Sequence, residues 1–386
     1  MSASQPADAT DSSPPSEADE SIRVMIVDDS LTVRTILKRM VESDSAMRVT
    51  DTASSAERAI AQLEKSPADV ILLDLEMPGM GGLEALPAIL ERAQGGQVLV
   101  VSSLTQDGAE HTISALSMGA ADTMLKPRPG GFDEGYRAKL LSHIRALGEP
   151  AMRARIEGDA PAPAAPRAKT AESAPVSPHA RSVSQRPAKS PDVIAIGAST
   201  GGIHALNIML RGLSPEFKLP ILITQHLPAS FIPVFARQIE VACARQAVIA
   251  EDGREIRAGE VAIATGHGHL VVRQVADRLI ARTSAEPARS GCMPSVDPMF
   301  ASCAEACEGR VLGVVLSGMG RDGFDGAQTV VEAGGAIIAQ DPDTSAVWGM
   351  PGAVAKAGLA SLVAPPQDLA ACVLEAGRCA ALRGEP

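Results

Sequence analysis

Aromatic side chains are scarce in this 386-residue chain: one Trp, one Tyr and six Phe make up 2% of it. With a formal net charge of -11, that scarcity argues against nucleic acid as a ligand, which calls for basic patches and stacking rings. It argues equally against an anionic membrane surface. Long apolar runs are missing too: Val70–Leu73 and Val311–Leu316 are strand-sized, and no stretch has the length that crosses a bilayer. No direct membrane insertion is expected. The first residues hold Asp, Glu, Ser and Pro with neither a basic start nor an apolar core. That is the pattern of a disordered tail rather than a signal peptide, so the cytoplasm is the expected compartment. Cys243, Cys292, Cys303, Cys307, Cys372 and Cys379 include no CxxC pair and no ligand-spaced histidine. They point to reduced, mostly buried thiols rather than to zinc or a disulfide framework.

What is present suffices for two domains, since 386 residues exceed one ordinary domain and 45% of them are hydrophobic. After a tail over 1–21, strand-like runs alternate with amphipathic stretches from Ile22 to about Leu147, the pattern of a parallel sheet covered by helices on both faces. Over 148–191 the composition collapses to Ala, Pro, Arg, Ser and Lys without periodicity, which predicts a flexible linker. From Asp192 to about Leu382 the pattern resumes, with Val193–Ile196, Ile221–Thr224, Val261–Ala264, Val311–Leu316 and Ala336–Ala339 as strands of a second α/β domain.

In the first domain, apolar strands run directly into Asp28-Asp29 and into Asp74. Ligands of open parallel sheets bind beyond the carboxyl ends of the strands, so these carboxylates converge there. Such a cluster suits Mg²⁺ held by carboxylates and phosphate oxygens. Val98–Val101 ends in Ser102-Ser103 and a later strand in Lys126-Pro127, adding a hydroxyl and an ammonium to offset charge on an acyl phosphate of Asp74.

In the second domain, Val193–Ile196 leads into Gly197-Ala-Ser199-Thr-Gly201-Gly202, a strand, a tight glycine-flanked turn and a helix. The GxSxG pattern has nucleophile-elbow geometry. A dinucleotide-binding turn or a P-loop requires a different glycine pattern, which leaves a purely structural glycine turn as the alternative. Among seven histidines, His226 stands just past a buried strand and is the best candidate base. His111, His143 and His179 lie in the first domain or linker, and His204 in the first turn of a helix. His267 and His269 sit in a Gly-His-Gly-His segment that reads as a solvated hairpin loop, with no third metal ligand evident. Asp322, in the glycine-rich loop after Val311–Leu316, is the proposed partner of the base. By spacing alone Asp297, Asp325, Asp341 and Asp343 remain rivals. The order Ser, His, Asp differs from the Ser, Asp, His order of ordinary α/β-hydrolases.

Residues Ile22–Ile144 resemble the response-regulator receiver family through Val27-Asp-Asp-Ser30, Leu73-Asp-Leu-Glu-Met-Pro-Gly79, Val101-Ser-Ser103 and Lys126-Pro127. The resemblance implies a flavodoxin-like (βα)5 fold, Asp74 as phosphoacceptor, and Asp28, Asp29 and the Glu76 backbone carbonyl around Mg²⁺. It implies Ser102 as the switch hydroxyl and Lys126 as a phosphoryl contact. Thr123 stands where receivers carry an aromatic switch residue.

Residues from Asp192 on resemble the catalytic domain of the chemotaxis protein-glutamate methylesterases, which also act as glutaminases. The matching segments are Ile196-Gly-Ala-Ser-Thr-Gly-Gly202, Thr224-Gln-His-Leu-Pro228, Glu251-Asp-Gly253, Pro294-Ser-Val-Asp297, Leu316-Ser-Gly-Met-Gly-Arg-Asp-Gly323 and Gly349-Met-Pro351. This resemblance implies a doubly wound, mainly parallel sheet, a Ser199–His226–Asp322 triad, the Met319 backbone N–H as oxyanion donor and Thr200 lining the site. No cofactor is expected in the catalytic domain. Methyl-accepting chemoreceptors are the implied substrate and a chemotaxis histidine kinase the implied phosphodonor. The linker is long for that family. A signalling adaptor without turnover is the rival class, and the intact triad argues against it.

Overall fold

A computed structural model describes residues 20–103, 105–127, 130–156 and 190–381. The first unit runs β1 (Ile22–Val27), α1 (Leu31–Val41), β2 (Met47–Ala53), α2 (Ala56–Leu63), β3 (Val70–Leu73), α3 (Gly82–Arg92), β4 (Gln97–Ser102), α4 (Gln106–Met118), β5 (Asp122–Leu125) and α5 (Glu134–Ile156). Its strands lie parallel in the order β2-β1-β3-β4-β5, the flavodoxin-like winding. β3 is buried at every position, as a strand covered on both faces must be. Hydroxyls start the helices: Ser30 accepts from the Val33 amide at 3.4 Å and Thr105 from that of Gly108 at 2.9 Å.

α5 continues past Gly148, where the composition places the start of the linker, to Ile156. Gly148 packs so closely on the sheet that a Cβ there would come within 2.3 Å of the Ile22 side chain. Farther along, Arg155 donates to Asp69 and to the Ser21 carbonyl, both at 2.8 Å. These contacts extend the helix through a segment whose composition alone reads as linker. Residues 1–19 of the expected tail and 157–189 of the expected linker lie outside the described residues.

The second unit begins with β6 (Val193–Ala198), α6 (Gly202–Arg211), β7 (Ile221–Gln225), α7 (Ile232–Cys243), β8 (Ala247–Ile249), β9 (Glu255–Ile256) and β10 (Val261–Ile263). It continues through β11 (His269–Val275), β12 (Arg278–Ser284), α8 (Val296–Ala306), β13 (Val311–Val315), α9 (Phe324–Glu332), β14 (Ala336–Gln340), α10 (Met350–Lys356), β15 (Ala360–Ala364) and α11 (Pro366–Ala381). Seven strands form a parallel sheet in the order β15-β14-β13-β6-β7-β10-β8, and β11, β12 and β9 form a small antiparallel sheet. β13, β6 and β7 are neighbours, so the loops carrying Asp322, Ser199 and His226 leave the same edge of the sheet side by side. His269 departs from the solvated-loop reading. It opens β11, is 1% exposed, donates from Nε2 to the Glu286 carbonyl at 2.7 Å and accepts at Nδ1 from the Ser295 amide at 2.9 Å.

Candidate active site

Ser199 follows β6 directly. Gly201 closes the turn at φ +76°, a left-handed conformation that suits glycine, and a Cβ there would lie 2.6 Å from Ser317 Oγ. The Ser199 amide donates to the Ser317 carbonyl at 3.0 Å, and the His226 amide to the Ala198 carbonyl at 3.0 Å. Both loops are thus pinned by main-chain bonds to neighbouring segments. His226 then bridges the other two residues, with Nδ1 at 3.1 Å from Ser199 Oγ and Nε2 at 2.7 Å from Asp322 Oδ2. An ionised Asp322 only accepts, so the ring proton belongs on Nε2 and the Nδ1 lone pair faces the serine. The ring is therefore turned the opposite way from the familiar serine-protease arrangement, in which Nε2 faces the serine.

Asp322 is 2% exposed. Ser295 Oγ donates to its Oδ1 at 2.6 Å and the Val296 amide to its Oδ2 at 2.8 Å. Burial works against its charge, yet the hydrogen bonds from His226, Ser295 and Val296 outweigh it and hold the carboxyl well below the usual carboxylate range. Three of the four rival aspartates have other partners. Asp297 accepts from the Gly326 amide at 2.8 Å, Asp325 faces Arg289 at 3.5 Å, and Asp341 accepts from Thr344. Ser295 escaped the sequence reading because a serine opening a helix carries no chemical signal of its own. Cys292, read only as one thiol among six, stands beside His226 and Asp322.

The glycine-rich loop after β13 lies against the serine: a Cβ on Gly318 would come within 2.9 Å of Ser199 Cβ. That places Met319 at the rim, with its thioether 4.0 Å from Ser142 Oγ on α5. Thr200 is buried, and its hydroxyl donates to Asp122 at the start of β5.

Residues 194–373 match the family model described as CheB methylesterase, and residues 24–131 the one described as response regulator receiver domain. A protein-glutamate methylesterase/protein-glutamine glutaminase 1 of Paramagnetospirillum magneticum is 41% identical over 380 residues, covering 94% of this chain and 97% of that relative. A protein of the same description from Azospirillum brasilense is 42% identical over 363 residues, with 90% and 91% covered. This chain belongs to the protein-glutamate methylesterase/protein-glutamine glutaminase family. The crystal structure of the Thermotoga maritima CheB methylesterase catalytic domain is 32% identical, with a TM-score of 0.47, covering 48% of this chain and 98% of that one.

In the receiver domain, Asp28 and Asp74 are buried and Asp29 is exposed, with one carboxylate oxygen from each within 4.8 Å of the others. Lys126 Nζ lies 2.8 Å from Asp28 Oδ2 and 2.5 Å from Asp74 Oδ2. The Glu76 amide donates to Asp74 Oδ1 at 3.1 Å, whereas the Glu76 side chain turns away to accept from Ser103 at 2.7 Å. Burial raises the Asp74 carboxyl above its ordinary range, against the pull of Lys126. Burial opposes the charge of Lys126, but its bonds to Asp28 and Asp74 raise it overall. Ser102 is fully buried and its hydroxyl accepts from Thr112 Oγ1 of α4 at 2.8 Å. Thr123 Oγ1 is buried without a hydrogen-bond partner among the described residues.

The receiver domain packs on the rim of the methylesterase site. The Gly201 amide donates to the Ala121 carbonyl at 2.5 Å, His204 Nδ1 lies 2.9 Å from the Ser117 carbonyl, and Asn207 donates to Ser117 Oγ at 2.8 Å. Gln238 reaches the same hydroxyl, and Arg237 pairs with Glu110 at 3.1 Å. The end of α4 and the start of β5 therefore lie on the turn and helix that present Ser199.

Proposed function

We propose that this chain hydrolyses glutamate methyl esters on methyl-accepting chemoreceptors, deamidates specific receptor glutamines, and is regulated by phosphorylation of Asp74. The observation that carries the reading is the His226 ring held between Ser199 and Asp322, at 3.1 and 2.7 Å. His226 Nδ1 takes the Ser199 hydroxyl proton as Oγ attacks the side-chain carbonyl of the methylated glutamate. The oxyanion faces the Met319 backbone N–H, and Thr200 lines the site. Methanol leaves with the proton from Nδ1, giving an acyl-serine. Water then gives a proton to the same nitrogen and attacks the acyl group, and Ser199 departs with that proton. Asp322 stabilises the imidazolium formed in each half-reaction. With a glutamine, ammonia leaves in place of methanol. Each turnover leaves one more carboxylate on the receptor.

The all-oxygen set of Asp28, Asp29 and Asp74 fits Mg²⁺, since three clustered carboxylates exceed the one ammonium of Lys126. Those residues, with the Glu76 carbonyl, would hold the ion, which when bound offsets charge on phosphoryl oxygens. Asp74 accepts the phosphoryl group from a chemotaxis histidine kinase, Lys126 contacts it, and Ser102 offers it a hydroxyl. With the receiver docked, Thr200 and the Ser199 turn are engaged by Asp122 and Ala121. Phosphorylation weakens that docking and admits the receptor. The charge and the composition support a cytoplasmic enzyme without a nucleic-acid partner. Among the described residues no helix is long and apolar enough to cross a membrane.

The test is methanol release from methylated receptor membranes, with and without a small-molecule phosphodonor and Mg²⁺. Stimulated release that Ser199→Ala abolishes and that Asp74→Asn no longer allows to rise supports the reading. Folded protein that releases no methanol from several receptors refutes the esterase.

A further inference from the structure

The described residues bring together two clusters of metal-ligating side chains, and they differ in chemical hardness. One is the all-carboxylate set of the receiver domain; the other is Cys292, His226 and Asp322, with one ligand atom from each within 4.8 Å of the others. We propose that this second cluster binds one thiophilic divalent cation, Zn²⁺ in the first instance, and that binding shuts the esterase off. The inference rests on the proposed hydrolytic role of Ser199 and His226 for its consequence, but not for the binding itself.

A thiolate, an imidazole and a carboxylate form a three-ligand zinc set with the fourth tetrahedral position open. Mg²⁺, which demands six oxygen-type ligands, is a poor occupant. The three residues come from separate loops, before α8, after β7 and after β13. Their spacing in sequence therefore carried no metal signature. The carboxylate is already oriented, because Ser295 and the Val296 amide fix both of its oxygens. Nε2 and Asp322 Oδ2 stand 2.7 Å apart. A tetrahedral ion about 2.0 Å from each needs them about 3.3 Å apart, so the ring must yield by about 0.6 Å. His226 and Cys292 are only partly buried, which leaves room for that movement.

Inhibition follows from the tautomer. A metal on Nε2 takes the lone pair of that nitrogen, so the ring proton moves to Nδ1, where it points at Ser199. A protonated Nδ1 cannot accept the serine proton. The Cys292 thiol gives its proton to solvent as the sulfur–metal bond forms, so one proton leaves per ion bound and no electrons are transferred.

The full-length protein, kept in Mg²⁺, is titrated with Cd²⁺ as a spectroscopic stand-in and with Zn²⁺ in parallel. One equivalent of ion and a thiolate-to-cadmium charge-transfer band are expected, and both are lost or weakened by at least about tenfold in Cys292→Ser and Cys292→Ala. Methanol release by the unsubstituted protein is expected to fall at least about tenfold at one equivalent of Zn²⁺ and to recover with a zinc-selective chelator. The two Cys292 variants keep their release under the same Zn²⁺. Cys379→Ser controls for the exposed thiol. A band that survives in the Cys292 variants, or release indifferent to bound Zn²⁺, overturns the proposal. A Cys292-dependent band in a protein that releases no methanol even without Zn²⁺ instead overturns the esterase reading and leaves the metal site standing.

Discussion

Replacing Asp322 by asparagine removes a charge while keeping the shape of the side chain, and the structure decides which way the new amide turns. Three donors converge on the native carboxylate: Ser295 Oγ on Oδ1, and the Val296 amide and His226 Nε2 on Oδ2. The Val296 amide cannot rotate, whereas the Ser295 hydroxyl can turn and accept. The introduced asparagine therefore keeps its oxygen on the Val296 and His226 side and directs its NH₂ at Ser295. The tautomer with Nδ1 free survives, and only the charge beneath the imidazolium is lost. Two unit charges about 4 Å apart at an effective dielectric of about 20 interact by about 4 kcal/mol. That corresponds to a fall in kcat of about 10³. Steady-state methanol release should show this loss with KM little changed. A loss below about tenfold would mean that the charge is not used in the transition state. A loss of about 10⁴ would mean that the amide turned to face the imidazole and imposed the wrong tautomer, refuting the orientation argument. Adding Ser295→Ala removes the acceptor for the NH₂ and is expected to deepen the loss.

Burial, with the Asp322 charge behind it, pushes the Asp297 carboxyl up to about 6 against the Gly326 amide, which favours the ionised form. A carboxyl raised in the folded state contributes stability that is fully present below about pH 4 and lost as pH rises through about 6. Asp297→Asn keeps an acceptor for Gly326 without the charge, so its Tm relative to the unsubstituted protein should rise between pH 5 and pH 8; a flat difference would contradict the assignment. Asp122→Ala removes the partner of the Thr200 hydroxyl and the carboxylate 3.7 Å from His143. Methanol release without phosphodonor should rise, about tenfold for each 1.4 kcal/mol of docking lost, while the phosphodonor-stimulated rate stays the same. Thr112→Val leaves the buried Ser102 hydroxyl without its donor, at a cost of about 1–3 kcal/mol, measured as a lower Tm of the receiver transition. An unchanged Tm would show that Ser102 finds another partner.

The strand ends were legible because runs such as Val24–Val27 and Val193–Ile196 are apolar throughout and end abruptly in the residues that carry the chemistry. Parallel sheets place such ends on one edge, so the residue lists followed from topology. Asp322 was not separable by spacing from Asp297 or Asp325; contacts from Ser295 and Val296, distant in sequence, distinguish it. His269 looked solvated beside two glycines, yet its ring bonds bridge Glu286 and Ser295, partners with no local signature. The short antiparallel sheet of β9, β11 and β12 was missed because β9 has only two residues and the seven-residue β11 and β12 are largely exposed or half-buried, without the unbroken apolar run of the parallel strands. α5 outran its expected end because Arg155 is held by Asp69, 86 positions away in the chain.

The proposed regulation requires that an event at Asp74 reach Ser199, and two short elements span the distance. β5 is four residues long, about 13 Å of strand. Lys126, just past its carboxyl end, holds Asp28 and Asp74, while Asp122 at its other end holds Thr200. α4 runs alongside, with Thr112 on Ser102 and, near its end, Ser117 holding His204, Asn207 and Gln238. A phosphoryl group that draws Lys126 and Ser102 toward itself therefore pulls on both elements at once. Each interface hydrogen bond contributes about 1 kcal/mol net, and a tenfold population shift needs about 1.4 kcal/mol. Loosening one or two of them is enough to change the open fraction of the site severalfold, so no refolding of either domain has to be invoked. Thr123 makes no hydrogen bond through its hydroxyl among the described residues, so the proposed regulation assigns the part of an aromatic switch to polar contacts of its neighbours. Under the proposed regulation, coupling runs through Asp122 and Thr112, which is why their substitution should change the ratio of stimulated to basal rate.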